Sequence, residues 1–580
     1  VTLRPYRVVG SKSLARAALV AALGLAVVST SGCRLWKPKD TSADKASVKG
    51  DNDSSPTYSS GLNMCAAIRG NGNYIFAHFG SLARIVEEYG KIDAAAGGSS
   101  ASITPFLYES LLLSPALKGY EGQAYNLRLA LLLKSLMGYV KALETSDEGI
   151  AIKLMMALYA EYKAGGIEAI DPAEAQLLEA KLKTLLQDPI YKGLINPNIL
   201  KMLDGTDDLG FKSKELKLQE IKAAVGAIGA FDASDEKILF REGVIHFPAL
   251  VALIDRIANF YADRGPADQA QLKRFVEECG GEASRGKNWD EVAALPMAGE
   301  GAPSCGAFFE GVVKEYRKGV TAPGYVPEKP RMNDFVGATI PAFLIGSVIK
   351  GGAAIDALKA AYARYYAGEQ PSYELKHFDA VKLGYYVDPK FGDLEAKLKA
   401  LYPDDEKTKR FLAMNTEPVR WADVLPYTAI EPGLSKVVIT AADTAFAGGW
   451  PDLFPVQLLK AAGCANTIYV TRRGAESEFL IGSRPVPEGH EGRKGVAELL
   501  GIDAPTQRRY FDLTETAPFS AFKTAARDAE AVWCTDWNRG TSGDLAGLFK
   551  FGYDSEITPR SDFFKAKLAD KRIAGAPGCD

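Results

Sequence analysis

The sequence predicts an α/β protein: a parallel sheet with helices on both faces, interrupted by a large, mostly α-helical insertion. Three observations predict it. Short apolar runs alternate with stretches of three- and four-residue apolar spacing in residues 62–111 and again in 434–471, which is how strands and crossover helices of a parallel sheet read. Between them, from about residue 119 to 280, long helical periods carry capping signals. An apolar share of 47% in 580 residues is enough for two or three cores after the amino-terminal segment is set aside.

That segment opens with Arg4, Arg7, Lys12 and Arg16, continues with an apolar run from Ala17 to Val28, and ends in Ser29-Thr30-Ser31-Gly32-Cys33. Residues 1–32 therefore read as a signal peptide. The apolar run is well short of the ~20 residues that a spanning helix needs. Cys33, directly after small residues, resembles the lipobox of bacterial lipoproteins, in which the thiol is diacylated; Thr30 stands where leucine is usual. Two acyl chains suffice for stable attachment. This resemblance implies export and a periplasm-facing membrane anchor, the outer membrane ahead of the inner. An ordinary signal peptide with a coincidental cysteine is the alternative. Residues 33–60 are nearly free of apolar side chains and form a disordered tether.

Removing residues 1–32 takes four of the 69 basic residues and no acidic one, leaving 65 against 72 and a formal charge of −7. Nothing in that balance suggests nucleic acid as a partner. Six of the seven cysteines follow Cys33, an even number compatible with disulfides in an exported chain, and Cys279 and Cys305 bracket a glycine-rich loop that a bridge would close. With four histidines and neither a C-x-x-C nor an H-x-x-x-H spacing, no metal or other cofactor is expected.

The elements follow in order. Leu62 to Ile68 is a short apolar run that reads as a buried strand, followed by Gly70-Asn71-Gly72-Asn73. Ile75, Phe79, Leu82, Ile85, Val86 and Tyr89 then recur at helical spacing up to the stop at Gly90. A second strand at residues 92–96 leads into Gly97-Gly98-Ser99-Ser100-Ala101, and a helix follows from Ile103. Residues 119–414 are assigned to the helical insertion, with a helix at 248–261 among others. Within it, the apolar stretch 335–349, interrupted by Pro341, reads as buried core or alternatively as a lipid-facing lid. Strands return at 434–440 and 466–471, around a helix at 455–462 that Gly463 ends. Residues 506–580 form a mixed C-terminal extension in which Trp533, Cys534 and Trp537 cluster; their sequence carries no functional signal.

Two glycine-bearing turns at adjacent strand ends can hold an oxyanion on backbone N–H groups and bare a serine hydroxyl. Each turn alone is an ordinary loop in most proteins. The rival reading, a phosphate loop, lacks the Gly-Lys-Ser/Thr ending, and a dinucleotide loop would need a third glycine.

In their order these parts resemble the patatin-like phospholipases. Gly70 to Ile75 stands for the family's glycine-rich oxyanion loop, His78-Phe79-Gly80-Ser81-Leu82 for its His-x-Gly-x-Leu, and Asp93 to Ala101 for the segment from aspartate to the Gly-x-Ser-x-Gly nucleophile; Leu107-Tyr108 matches a Leu-Tyr pair. Residues 421–433 and 448–456 resemble the family's late segments, so that 61–118 and 415–505 would be two parts of one patatin-like core. The resemblance implies a serine acyl hydrolase acting on lipid acyl esters, with Ser99 as nucleophile and Ser100 as the alternative. Gly70, Asn71, Gly72 and Asn73 would form the oxyanion hole. The family's general base is the aspartate of Asp-Gly-Gly, where this chain has Ala447, so Asp443 is the candidate base and Asp452 its alternative. His78 lies in the helix, where packing is expected of it. Ala447 also leaves open a catalytically impaired, lipid-binding or scaffold protein, with the helical block as an interaction module.

Overall fold

The computed structural model describes residues 61–70, 75–146, 247–262, 269–320, 330–350, 380–385, 412–415, 420–428, 438–439, 444–446, 455–472, 528–535 and 545–567, with a few isolated helical positions. Residues 1–32, Cys33 and the tether lie outside them.

Strand β1 (Met64–Ile68) is buried throughout. Its side chains alternate between two cores: Met64, Ala66 and Ile68 face one, Cys65 and Ala67 the other. Burial on both faces is why it reads as a continuous apolar run. Helix α1 (Ile75–Tyr89) follows; only Glu88 of its residues is not buried. Gly90, at φ +102°, ends it. Strand β2 (Ala94–Gly98) lies parallel to β1, then comes a 3-10 turn, Ser99–Ser102, and helix α2 (Ile103–Leu112).

Helices α3 (Gly122–Glu144), α4 (Phe247–Tyr261), α5 (Gln269–Cys279), α6 (Trp289–Ala293) and α7 (Cys305–Val320) build the helical layer. Its centre is aromatic: Phe260 packs on Tyr139, Phe309 and Tyr316, and Phe309 on Phe275 and Trp289. The bridge Cys279–Cys305 joins the end of α5 to the start of α7.

The sheet continues inside the segment that the sequence assigns to the helical insertion. Strand β3 (Ala342–Lys350) pairs parallel with β2, and β4 (Ala380–Tyr385) and β5 (Leu412–Asn415) extend the sheet outward. Phe343, Leu344 and Ile345 are fully buried, which makes this part of the apolar stretch core. A short apolar run buried on both sides has no period to separate strand from helix. Helix α8 (Trp421–Thr428), strands β6 (Val438–Ile439) and β7 (Thr444–Phe446), helix α9 (Val456–Ala461) and strand β8 (Asn466–Arg472) follow, and Gly463 turns the chain after α9 at φ +91°.

The C-terminal region is part of the core. Strand β9 (Ala531–Thr535) pairs parallel with β8, helix α10 (Leu545–Tyr553) packs on α1, strand β10 (Glu556–Pro559) closes that edge antiparallel to β9, and α11 (Asp562–Lys567) follows. Gly80 and Gly552 allow α1 and α10 to touch backbone to backbone: a Cβ on either would stand 2.0 Å from a carbonyl oxygen of the other helix. Ser81 Oγ and Trp533 Nε1 both donate to the Gly552 carbonyl, at 3.1 and 2.9 Å.

Among the described residues the strand order is β10-β9-β8-β1-β2-β3-β4-β5, with β7 on the far end of β3 and β6 on β7, a mostly parallel ten-stranded sheet. An α/β architecture is therefore the fold class. From β1 the chain steps to β2 on one side, and from β8 to β9 on the other. The carboxyl ends of β1 and β8 thus border a topological switch point, where open α/β sheets place their ligands.

Candidate functional site

The site is built on the carboxyl ends of β1 and β2. Ile68 is paired with Gly97, so Gly70 and Ser99 each follow that pair by two residues. Gly70 is half-buried; Asn71, Gly72 and Asn73 lie outside the described residues.

Ser99 has φ 56°, the only positive φ at a non-glycine residue among those described. A left-handed serine costs on the order of 1–3 kcal/mol and persists only where its surroundings hold it. The neighbours explain how. A Cβ on Gly97 would lie 2.5 Å from the Ala101 carbonyl oxygen and 2.8 Å from its Cβ. The turn from β2 into the helix is so tight that the residues two before and two after Ser99 must both be small. Ser102 Oγ donates to the Ser99 carbonyl at 2.6 Å and closes the turn. Ser99 is buried, at 6% exposure, against the bared serine that the sequence leads one to expect; Ser100 and Ser102 are fully buried. Among the described residues no carboxylate hydrogen-bonds its hydroxyl. Asp443, Ala447 and Asp452 lie outside the described residues. Thr444, the neighbour of Asp443, pairs with Lys350, five residues along β3 from Ile345, the partner of Gly98.

The 3-10 turn is walled by β3, α1 and α8. Phe106 and Trp421 hold α8 against α2, ring centroids 5.2 Å apart. Helix α8 thus reaches the serine turn, and β8 lies beside β1.

Helix α2, which leads out of the turn, is fixed by buried polar groups along its length. Thr104 Oγ1 meets His78 Nδ1 at 3.2 Å. The Tyr108 hydroxyl accepts the Ile92 N–H at 3.0 Å, and burial raises its pKa well above the ordinary tyrosine value. Glu109 accepts from Arg331 Nη2 at 2.9 Å, Trp421 Nε1 at 3.0 Å and the Thr339 N–H at 3.2 Å, and Glu109 and Arg331 are both wholly buried. Sequence reasoning missed Thr104 and Glu109. The one signal available was a glutamate on an otherwise apolar helix.

Asp93 stands at the other end of the β1–β2 pair, where its Oδ2 accepts the Asn63 and Met64 N–H groups at 3.0 and 3.1 Å. Next to Gly70, Arg69 Nη1 donates to Thr471 Oγ1 at 3.2 Å across the carboxyl ends of β1 and β8, placing a cation at the switch point. The bridge Cys65–Cys464 ties β1 to the turn before β8, across 399 residues of sequence. By limiting the unfolded chain it stabilises the pair by about 3–5 kcal/mol. Cys534 is also disulfide-bonded, to a cysteine outside the described residues. Among the described residues no group of side chains could hold a metal ion, and no helix is long and apolar enough to cross a membrane.

Comparison with protein-family models, with curated proteins and with solved structures finds no match to this chain.

Proposed function

We propose that the protein is a serine acyl hydrolase with a patatin-like core, acting on lipid acyl esters from a membrane anchor at Cys33. The observation that carries the reading is the left-handed Ser99 at a strand-to-helix turn, next to the strand end at which Gly70 follows β1 in a mostly parallel sheet. Strain of this kind has no packing benefit of its own and clusters at reactive sites.

In the proposed reaction the Ser99 oxygen attacks the ester carbonyl, and N–H groups of residues 70–73 receive the oxyanion. A carboxylate takes the serine proton and returns it to the leaving alcohol. Water then attacks the acyl-enzyme and releases the fatty acid. Asp443 is the proposed base, with Asp452 as its alternative because of Ala447. The positive charge of Arg69 beside the loop favours the anionic intermediate.

A fluorophosphonate probe tests the assignment: it labels the wild type, and Ser99→Ala abolishes labelling and lowers ester hydrolysis by at least about 10³-fold. Labelling that survives Ser99→Ala removes Ser99 from the mechanism. Ala447 favours a second reading, a lipid-binding or scaffold protein on the same core. That reading expects vesicle binding without turnover, and hydrolysis lost in Ser99→Ala ends it.

A further inference from the structure

Both turns of the site leave the sheet at neighbouring strands, and nothing in the β1–β2 hydrogen bonds fixes the loops beyond them. Oxyanion donors and nucleophile must nevertheless stay within a few tenths of an ångström of each other. One side chain reaches from Arg69, beside Gly70, to Thr104, at the start of the helix that follows Ser99. His78, on the first turn of α1, is 2% exposed and meets Thr104 Oγ1 through Nδ1 at 3.2 Å. Its ring also hydrogen-bonds the backbone of Arg69, the residue before Gly70. A neutral imidazole has one N–H; given to the Arg69 carbonyl, it leaves Nδ1 to accept the Thr104 hydroxyl. Burial holds the ring neutral, with its pKa lowered to about 3, so that pattern persists at every physiological pH.

We propose that His78 is a positioning residue: through Arg69 on one side and Thr104 on the other, it holds the carboxyl end of β1, next to Gly70, and the start of α2, next to the serine turn, in fixed register. The proposal rests on the hydrolase reading for its effect on chemistry, while the tie itself is structural. It gives the histidine of the His-x-Gly-x-Leu segment a role that needs no proton transfer. It also pairs with Asp93: the carboxylate clamps the amino ends of β1 and β2, while the imidazole ties Arg69, just past β1, to Thr104 on α2.

The test compares His78→Leu, Thr104→Val, the double variant and Thr104→Ser. Two readouts are followed, the rate of Ser99 labelling by a fluorophosphonate and amide hydrogen exchange at Gly70 and from Gly98 to Ser102. Expected are a ten-fold or greater slowing in each of the first two variants, no further slowing in the double variant, and retention of the rate in Thr104→Ser. Thr104→Val keeps side-chain volume and stands in if His78→Leu does not fold. A smaller slowing in the folded variants, or equal slowing in Thr104→Ser, overturns the proposal. If the wild type is not labelled at all, the hydrolase reading fails and exchange alone decides: faster exchange at both turns in Thr104→Val supports the tie, and unchanged exchange at either overturns it.

Discussion

Helix α2 and the aromatic centre of the helical layer are equally buried but held in opposite ways. Around Phe260 and Phe309, rings pack edge to face or tilted at centroid distances of 4.8 to 5.9 Å. Along α2, successive turns carry Thr104, Tyr108 and Glu109, each on a directional hydrogen bond to another element. Packing fills space, whereas hydrogen bonds fix angle and register. The helix that follows the strained serine has the second kind of support.

The comparison is sharpest at Glu109. Glu109→Leu leaves Arg331 Nη2, Trp421 Nε1 and the Thr339 N–H without their buried acceptor, with Arg331 Nη1 still on Asp334, and is expected to cost about 3–5 kcal/mol in chemical denaturation. Phe309→Leu, a volume-reducing change inside the aromatic cluster, is expected to cost only about 1–2 kcal/mol in the same measurement. Equal losses would erase the distinction between the two regions.

Acid acts on both regions, through His78 beside α2 and through Asp255 on α4, the helix of Phe260. His78 has its folded pKa lowered to about 3 from 6.5, so its stabilising contribution is complete above pH 6.5 and is lost as pH falls toward 3. Asp255, whose carboxylate accepts the Met332 N–H at 2.6 Å and the Asn259 amide at 2.9 Å, is raised by burial from 3.8 to about 6, so it favours the folded state increasingly as pH falls from 6 to 3.8. The two slopes oppose each other over that window. Asp255→Asn is expected to unmask the histidine slope, roughly 1.4 kcal/mol per pH unit, in denaturant melts between pH 6 and 4. A slope no steeper than that of the wild type would contradict the assignment of either group.

The smallest effect has the opposite sign. Ser99→Gly removes the left-handed strain and is expected to raise stability by about 1 kcal/mol while abolishing probe labelling. A destabilised Ser99→Gly would mean that the turn is held for packing.

Much of the framework was legible. The apolar runs of β1 and β8, the helical spacing of α1 and its stop at Gly90, and the turn from Gly97 to Ala101 stand in the sequence with nearly the bounds that the fold shows. Pairing was less so. Strand β3 hides in an apolar stretch without period, and β9, α10 and β10 come from a segment whose sequence carries no functional signal. The partners of Glu109 lie more than 200 residues away in Arg331, Thr339 and Trp421, and no local pattern announces them.

By itself the sequence determined which segments are strands or helices around the two glycine turns, because spacing and turn chemistry act over a few residues. Only the tertiary structure decided that those turns leave paired strands, that Ser99 takes a positive φ, and that His78 lies between Arg69 and Thr104. Such contacts depend on long-range closure of the sheet, where hydrogen-bond geometry between distant residues, and not local preference, sets the position of each side chain.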